Sequence, residues 1–96
     1  MKNITPQEPI KLSDSLTLTF KQFVVDNLLM DAQFGKDFDS LSKANDIKQA
    51  FNNNPIQLSD EAHELLCQVV KNPSNGYQPK LALPVIPFML AILNAQ

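Results

Sequence analysis

The sequence predicts an all-α fold: a small bundle of about four helices around an apolar C-terminal helix, preceded by a short β-hairpin or an extended arm. Three observations carry that prediction. Apolar residues recur at helical spacing in successive windows between Phe20 and Val70. Two of those windows open on side chains able to cap a helix, Thr19 and Ser59. The chain then closes with "LALPVIPFMLAIL", thirteen apolar residues from Leu81 to Leu93, and a helix that is apolar nearly all round is one that other elements cover.

Residues 1–9, with Pro6 and Pro9, read as a flexible or extended N-terminal arm, and residues 10–96 as a single helical domain. In "IKLSDSLTL", Ile10 and Leu12 lie on one face of the stretch before a Ser-Asp-Ser turn, and Leu16 and Leu18 on one face of the stretch after it. That alternation fits a hairpin with a three-residue loop, or, since no glycine serves the turn, an extended lead-in. Thr19 and Gln22 then have the spacing of a capping box, with Leu18 and Phe23 as its hydrophobic staple, so a helix starts at Phe20 and ends near Asp31 or Ala32.

A second helix is expected from Asp37 to about Asn53, its stripe formed by Phe38, Leu41, Ala44, Ile47 and Phe51. "NNNP" ends it, because the residue before proline avoids the α region. The third helix opens on Ser59, carries Asp60 and Glu61 at the positive end of its dipole, and stops at Asn72-Pro73. Pro84 and Pro87 would kink a continuous last helix, so that helix starts between them and runs to about Ala95. Leu81, Leu83, Val85, Ile86, Met89, Ile92 and Leu93 are expected to be buried as a group.

Composition narrows the function classes. All eight basic residues are lysines, and arginine is the usual planar donor to phosphates and guanine edges. Between Asp26 and Glu64 there are eight acids against three lysines, whereas Lys71 and Lys80 are the only charges after Glu64. An acidic middle of this kind repels nucleic acid. The thirteen-residue apolar run falls short of the ~20 residues a membrane span needs. A single cysteine makes no internal disulfide and fits a reducing compartment such as a cytoplasm.

No catalytic, cofactor or metal signature stands out. His63 and Cys67 share a helix face, but zinc needs three or four ligands and the chain has one histidine and one cysteine. A Cys-His nucleophile also wants an orienting third group, so the pair reads as core-flanking. "DAQFGKDFD" carries Asp31, Asp37 and Asp39 around Gly35, yet it lacks the ligand order and closing glutamate of a calcium loop. The second and third helices outline a helix-turn-helix, but Asp60, Glu61 and Glu64 stand where a recognition helix would meet phosphates.

Three stretches, "LTLTFKQFVVDNLL" (Leu16 to Leu29), "IQLSDEAHELLCQVVKN" (Ile56 to Asn72) and "YQPKLALPVIPFML" (Tyr77 to Leu90), together resemble a pattern in small, mostly uncharacterised proteins of tailed bacteriophages and prophages. The shared features are a capped first helix, a middle helix, an acidic third-helix start and a Tyr-x-Pro before an apolar last helix. Pro84 and Pro87 depart from that pattern. The resemblance implies a phage origin and a bacterial host cytoplasm, without catalytic residues or a particular activity.

The expected function is therefore non-enzymatic binding of another protein, as an assembly helper or as an inhibitor or adaptor of a host factor. Phe34, Phe38, Tyr77 and Phe88 are the candidate anchors, and Asp37, Asp39, Asp60 and Glu64 would steer a basic partner. The apolar tail serves a monomer core and a homodimer seam equally well. A DNA-binding transcriptional regulator and a minor virion structural subunit are the alternatives.

Overall fold

Strands only three residues long escape a periodicity search, and two of them pair here. Strand β1 (Lys2–Ile4) runs antiparallel to β4 (Ile56–Leu58), with Lys2 opposite Leu58, Asn3 opposite Gln57 and Ile4 opposite Ile56. Ile4, Ile56 and Leu58 point into the core, and Gln57 points out to donate to the Asn3 side-chain oxygen at 2.9 Å. The other edge of β1 is covered by Gln96, which exchanges both backbone bonds with Asn3, at 2.7 and 3.1 Å. The N-terminal amine lies 3.3 Å from the Asp60 carboxylate. The first residues of the expected arm are thus extended and fastened at both edges.

The computed structural model describes residues 1–96. It corrects the fold class: 54% of the residues are helical, but two antiparallel two-stranded sheets make the fold α+β, not all-α. In the second sheet, β2 (Ile10–Ser13) pairs with β3 (Leu16–Leu18) around Asp14 and Ser15. The register passes from Lys11 opposite Thr17 to Ser13 opposite Leu16, so Leu12 is the extra residue of a bulge. The bulge closes the hairpin without any turn residue at positive φ; only Gly35 and Gly76 adopt one.

The Thr19 hydroxyl accepts the Gln22 N–H at 3.1 Å while the Gln22 side chain accepts the Thr19 N–H at 3.0 Å, which starts α1 (Phe20–Phe23). The α geometry then gives way to a π-helical turn, Val24–Leu28, in which the Leu29 N–H reaches back five residues to the Val24 carbonyl at 2.9 Å. The wider turn sends Val24, Leu28 and Leu29 inward and leaves Asp26 and Asn27 outward. A 3₁₀ turn, Ala32–Phe34, leads through Gly35 to α2 (Phe38–Ala50), where the Asp37 carboxylate accepts the Ser40 N–H at 2.9 Å. Helix α3 (Asp60–Lys71) is capped by Ser59, whose hydroxyl accepts the Ala62 N–H at 3.2 Å.

The C-terminal apolar run is three short segments, not one helix: α4 (Pro79–Ala82), a 3₁₀ turn (Leu83–Val85) and α5 (Ile86–Leu93). Pro79, Pro84 and Pro87 each occupy the first or second position of one segment, where the missing N–H has no partner to lose. The breaks also undo the expected uniform burial. Val85, Phe88 and Ile92 are inside, whereas Leu81, Leu83 and Ile86 are exposed.

Seventeen buried apolar residues form one cluster, so the chain has one core. Phe88, fully buried, stacks on Phe20 with ring centroids 5.1 Å apart and lies 5.6 Å from Phe23; Phe51 meets Phe20 edge-on at 5.3 Å. Helix α5 packs on α3. No helix is long and apolar enough to cross a membrane.

Candidate functional site

The bulged hairpin, the π turn and the chain around α4 do not close on one another, and a groove of about 580 Å³ stays open between them. Its floor is core: Phe23 and Leu28 from the first helical stretch, Val69 from α3, and Val85 are all buried. Its rim is apolar and wet. Leu16 (52% exposed), Met30 (71%), Tyr77 (40%) and Leu81 (58%) stand around it. Leu16 reaches this position from β3, Met30 from the turn after the π segment, and Leu81 from α4.

Hydrogen bonds set the position of two rim elements. The Tyr77 hydroxyl donates to the Val70 carbonyl at 2.8 Å, which holds the ring against the end of α3. Burial, helped by the nearby Asp31 charge, pushes the Tyr77 hydroxyl pKa up from its ordinary 10.0, so it stays a donor. Asp31 ties the two banks together: one carboxylate oxygen accepts the Ser74 hydroxyl at 2.6 Å and the Gln33 N–H at 2.9 Å, and the other accepts the Ser74 N–H at 2.8 Å. The Ser74 hydroxyl is the main cause that holds its pKa below the ordinary 3.8, and desolvation only partly opposes it. Gln33 adds a second tie by donating to the Asn72 carbonyl at 2.6 Å.

The residues expected from sequence to contact a partner fall in different places. Tyr77 lies at the groove, and Phe38 is 83% exposed on the first turn of α2, away from the groove lining. Phe34 and Phe88 are buried, which corrects their assignment as surface anchors. Phe34 sits in a connection, where a 3₁₀ turn folds it inward, and Phe88 fills the centre of the core. Asp37 is occupied as the cap of α2, Asp39 is exposed in its first turn, Asp60 faces the N-terminal amine, and Glu64 is exposed on α3. These four acids do not line the groove. Asp26 and Asp31 do.

His63 and Cys67 sit where α3 meets α5. His63 Nε2 lies 2.7 Å from the Ile92 carbonyl and so carries its proton there, while Cys67 Sγ is 3.3 Å from the same nitrogen. Burial is the first cause that raises the Cys67 pKa above its ordinary 9.0, which makes the thiol a poor nucleophile. No three His, Cys, Asp or Glu side chains converge as a metal site would need. Between α2 and α3, Lys43 bonds the Glu61 carboxylate, which raises the lysine pKa and lowers the glutamate pKa.

Leu16, Met30, Leu81 and Asp26 are functional candidates that sequence reasoning passed over. Met30 carried one signal: a large apolar side chain beyond the last inward position of its helix. Leu81 belongs to an apolar run whose members Val85, Phe88 and Ile92 are inside, and Leu16 to a short alternation, so their exposure is a tertiary fact. Comparison with models of protein families, with curated proteins and with solved structures finds no match to this chain. The likeness to phage proteins rests on the sequence pattern alone.

Proposed function

We propose that the protein is a non-enzymatic binding module whose groove takes large apolar side chains of another protein. The observation that carries this reading is the gathering of Leu16, Met30, Tyr77 and Leu81, all exposed, around one concavity with a buried apolar floor. Scattered exposed leucines need no explanation, but a contiguous apolar rim over a groove marks an interaction surface. Tyr77 suits a central anchor, because its hydroxyl is already bonded within the fold and its ring loses little freedom on binding. An assembly helper and an inhibitor or adaptor of a host factor both work through such a surface.

The test is a selection of peptides from a displayed random library on the immobilised protein, followed by binding of the selected peptides to Leu81→Gln and Met30→Gln. Both side chains are exposed, so the variants are expected to fold as the wild type does. Loss of binding in both supports the groove. Undiminished binding in both removes the groove from consideration.

A second reading, self-association, is favoured by Leu83, Ile86 and Leu90, which are exposed at helical spacing beside the groove. Light scattering over a dilution series, with Leu90→Lys alongside, tests it. A wild-type mass that falls on dilution, and a monomeric variant, would support this reading; a monomer at all concentrations would end it.

A further inference from the structure

We infer that the segment taken by this groove is cationic as well as apolar, with a lysine or arginine placed to meet Asp26 on the π turn. The inference rests on the groove reading above and adds the chemistry of the occupant. Asp26 and Asp31 are the only charged residues of the lining, and none of the eight lysines belongs to it. The two carboxylates differ in what they have left to offer. Asp31 already accepts from Ser74 and Gln33 through both oxygens, and contributes its charge from a fixed position. Asp26 has no ion-pair partner and accepts no side-chain hydrogen bond.

An occupant that covers the apolar rim takes water away from Asp26. A neutral segment would leave that carboxylate partly desolvated without compensation, and an acidic or phosphorylated one would add repulsion from both carboxylates. A cation at the same place restores the lost interaction and strengthens as water leaves. The π turn is what makes this pairing available, since it carries Asp26 outward beside the floor residue Leu28. Charge complementarity thus selects among apolar segments, which the rim alone does not.

The experiment uses the full chain and three synthetic helical peptides with leucines at i, i+3, i+4 and i+7 and lysine, glutamine or glutamate elsewhere. Affinities are measured by calorimetry at low and moderate salt against wild type, Asp26→Asn, Asp39→Asn and Leu81→Gln. The lysine peptide is expected to bind about tenfold tighter than the glutamine peptide, as one partly desolvated charge pair provides. Salt and Asp26→Asn should each shrink that gap, while Asp39→Asn, outside the groove, should leave it in place. Equal affinities for the lysine and glutamine peptides, both sensitive to Leu81→Gln, would overturn the cationic occupant and keep the groove. A lysine preference that responds to Asp39→Asn as much as to Asp26→Asn would also overturn it, as general attraction to an acidic protein. Binding indifferent to Leu81→Gln, or no binding, would overturn the groove reading and this inference with it.

Discussion

Replacing Phe88 by alanine removes a fully buried ring that Phe20 stacks on at 5.1 Å and Phe23 meets at 5.6 Å. Truncation of a buried phenylalanine to alanine costs about 3–5 kcal/mol through lost transfer energy and the cavity left behind. The interlocked rings place this site toward the upper end, because each aromatic pair adds about 0.5–1.5 kcal/mol beyond the area it buries. At about 0.05–0.15 kcal/mol per residue, a chain of this length has a total stability of roughly 5–14 kcal/mol, so the variant loses a large share of it. Phe38→Ala is the matched control: the same chemical change at a position 83% exposed, expected to stay within about 0.5 kcal/mol of the wild type. Urea titrations followed by circular dichroism give both values, with the slope checked for two-state behaviour. A loss below about 1 kcal/mol for Phe88→Ala would refute the packing argument. Equal losses at the two sites would show that the start of α2 is docked, not free.

The Asp31 carboxylate has a folded pKa below 3.8, so its contribution is complete above that value and is lost as pH falls through the folded pKa. Asp31→Asn should therefore cost about 1 kcal/mol at neutral pH, after allowance for solvent screening, and the two proteins should converge in strong acid; a pH-independent difference would rule out the charge as its origin. Cys67 should react with iodoacetamide more slowly in the native chain than in urea, since burial raises its pKa; equal rates would put the sulfur at the surface. His63→Leu should cost about 1–3 kcal/mol. It leaves the Ile92 carbonyl with a long 3.4 Å bond from the Ala95 N–H and a weak 3.9 Å contact from the Cys67 thiol, so faster amide exchange at the end of α5 should accompany the loss.

What was legible in the sequence was whatever a few adjacent residues decide among themselves. The Thr19–Gln22 box and the Ser59 cap are visible as spacings, because a cap is a contact between residues three apart, and both form. Helix α3 is legible for the same reason: its apolar stripe and its caps agree. The pairing of β1 with β4 is not, since each strand offers only three residues and the partner lies on the far side of α2. Stripe reading also fails on α2, where Phe38 and Leu41 repeat at helical spacing but stay exposed, and only Ile47 of the helix is fully covered. Periodicity identifies a face that can be buried; whether a neighbour is there to bury it depends on elements elsewhere in the chain.

The same distinction explains why the groove escaped a reading by type and spacing. It is built from the irregular parts of the fold: a bulge at Leu12, a π turn at Val24–Leu28, and a proline-led segment of four residues at Pro79–Ala82. Regular elements pack ridge into groove and leave little space between them. Short elements with mismatched repeats cannot do so along a shared axis, and concavity remains where three of them meet. Once that space exists, side chains that a regular helix or a longer sheet would have covered become its rim, which is how Leu81 changes from a core candidate into surface and why Leu16 of the hairpin stays exposed. The acids follow suit. Asp37 and Asp60, the ones a sequence reader picks for steering, are taken up by a helix cap and by the N-terminus, while Asp26 is turned outward, unpaired, by a π turn that no sequence spacing announces.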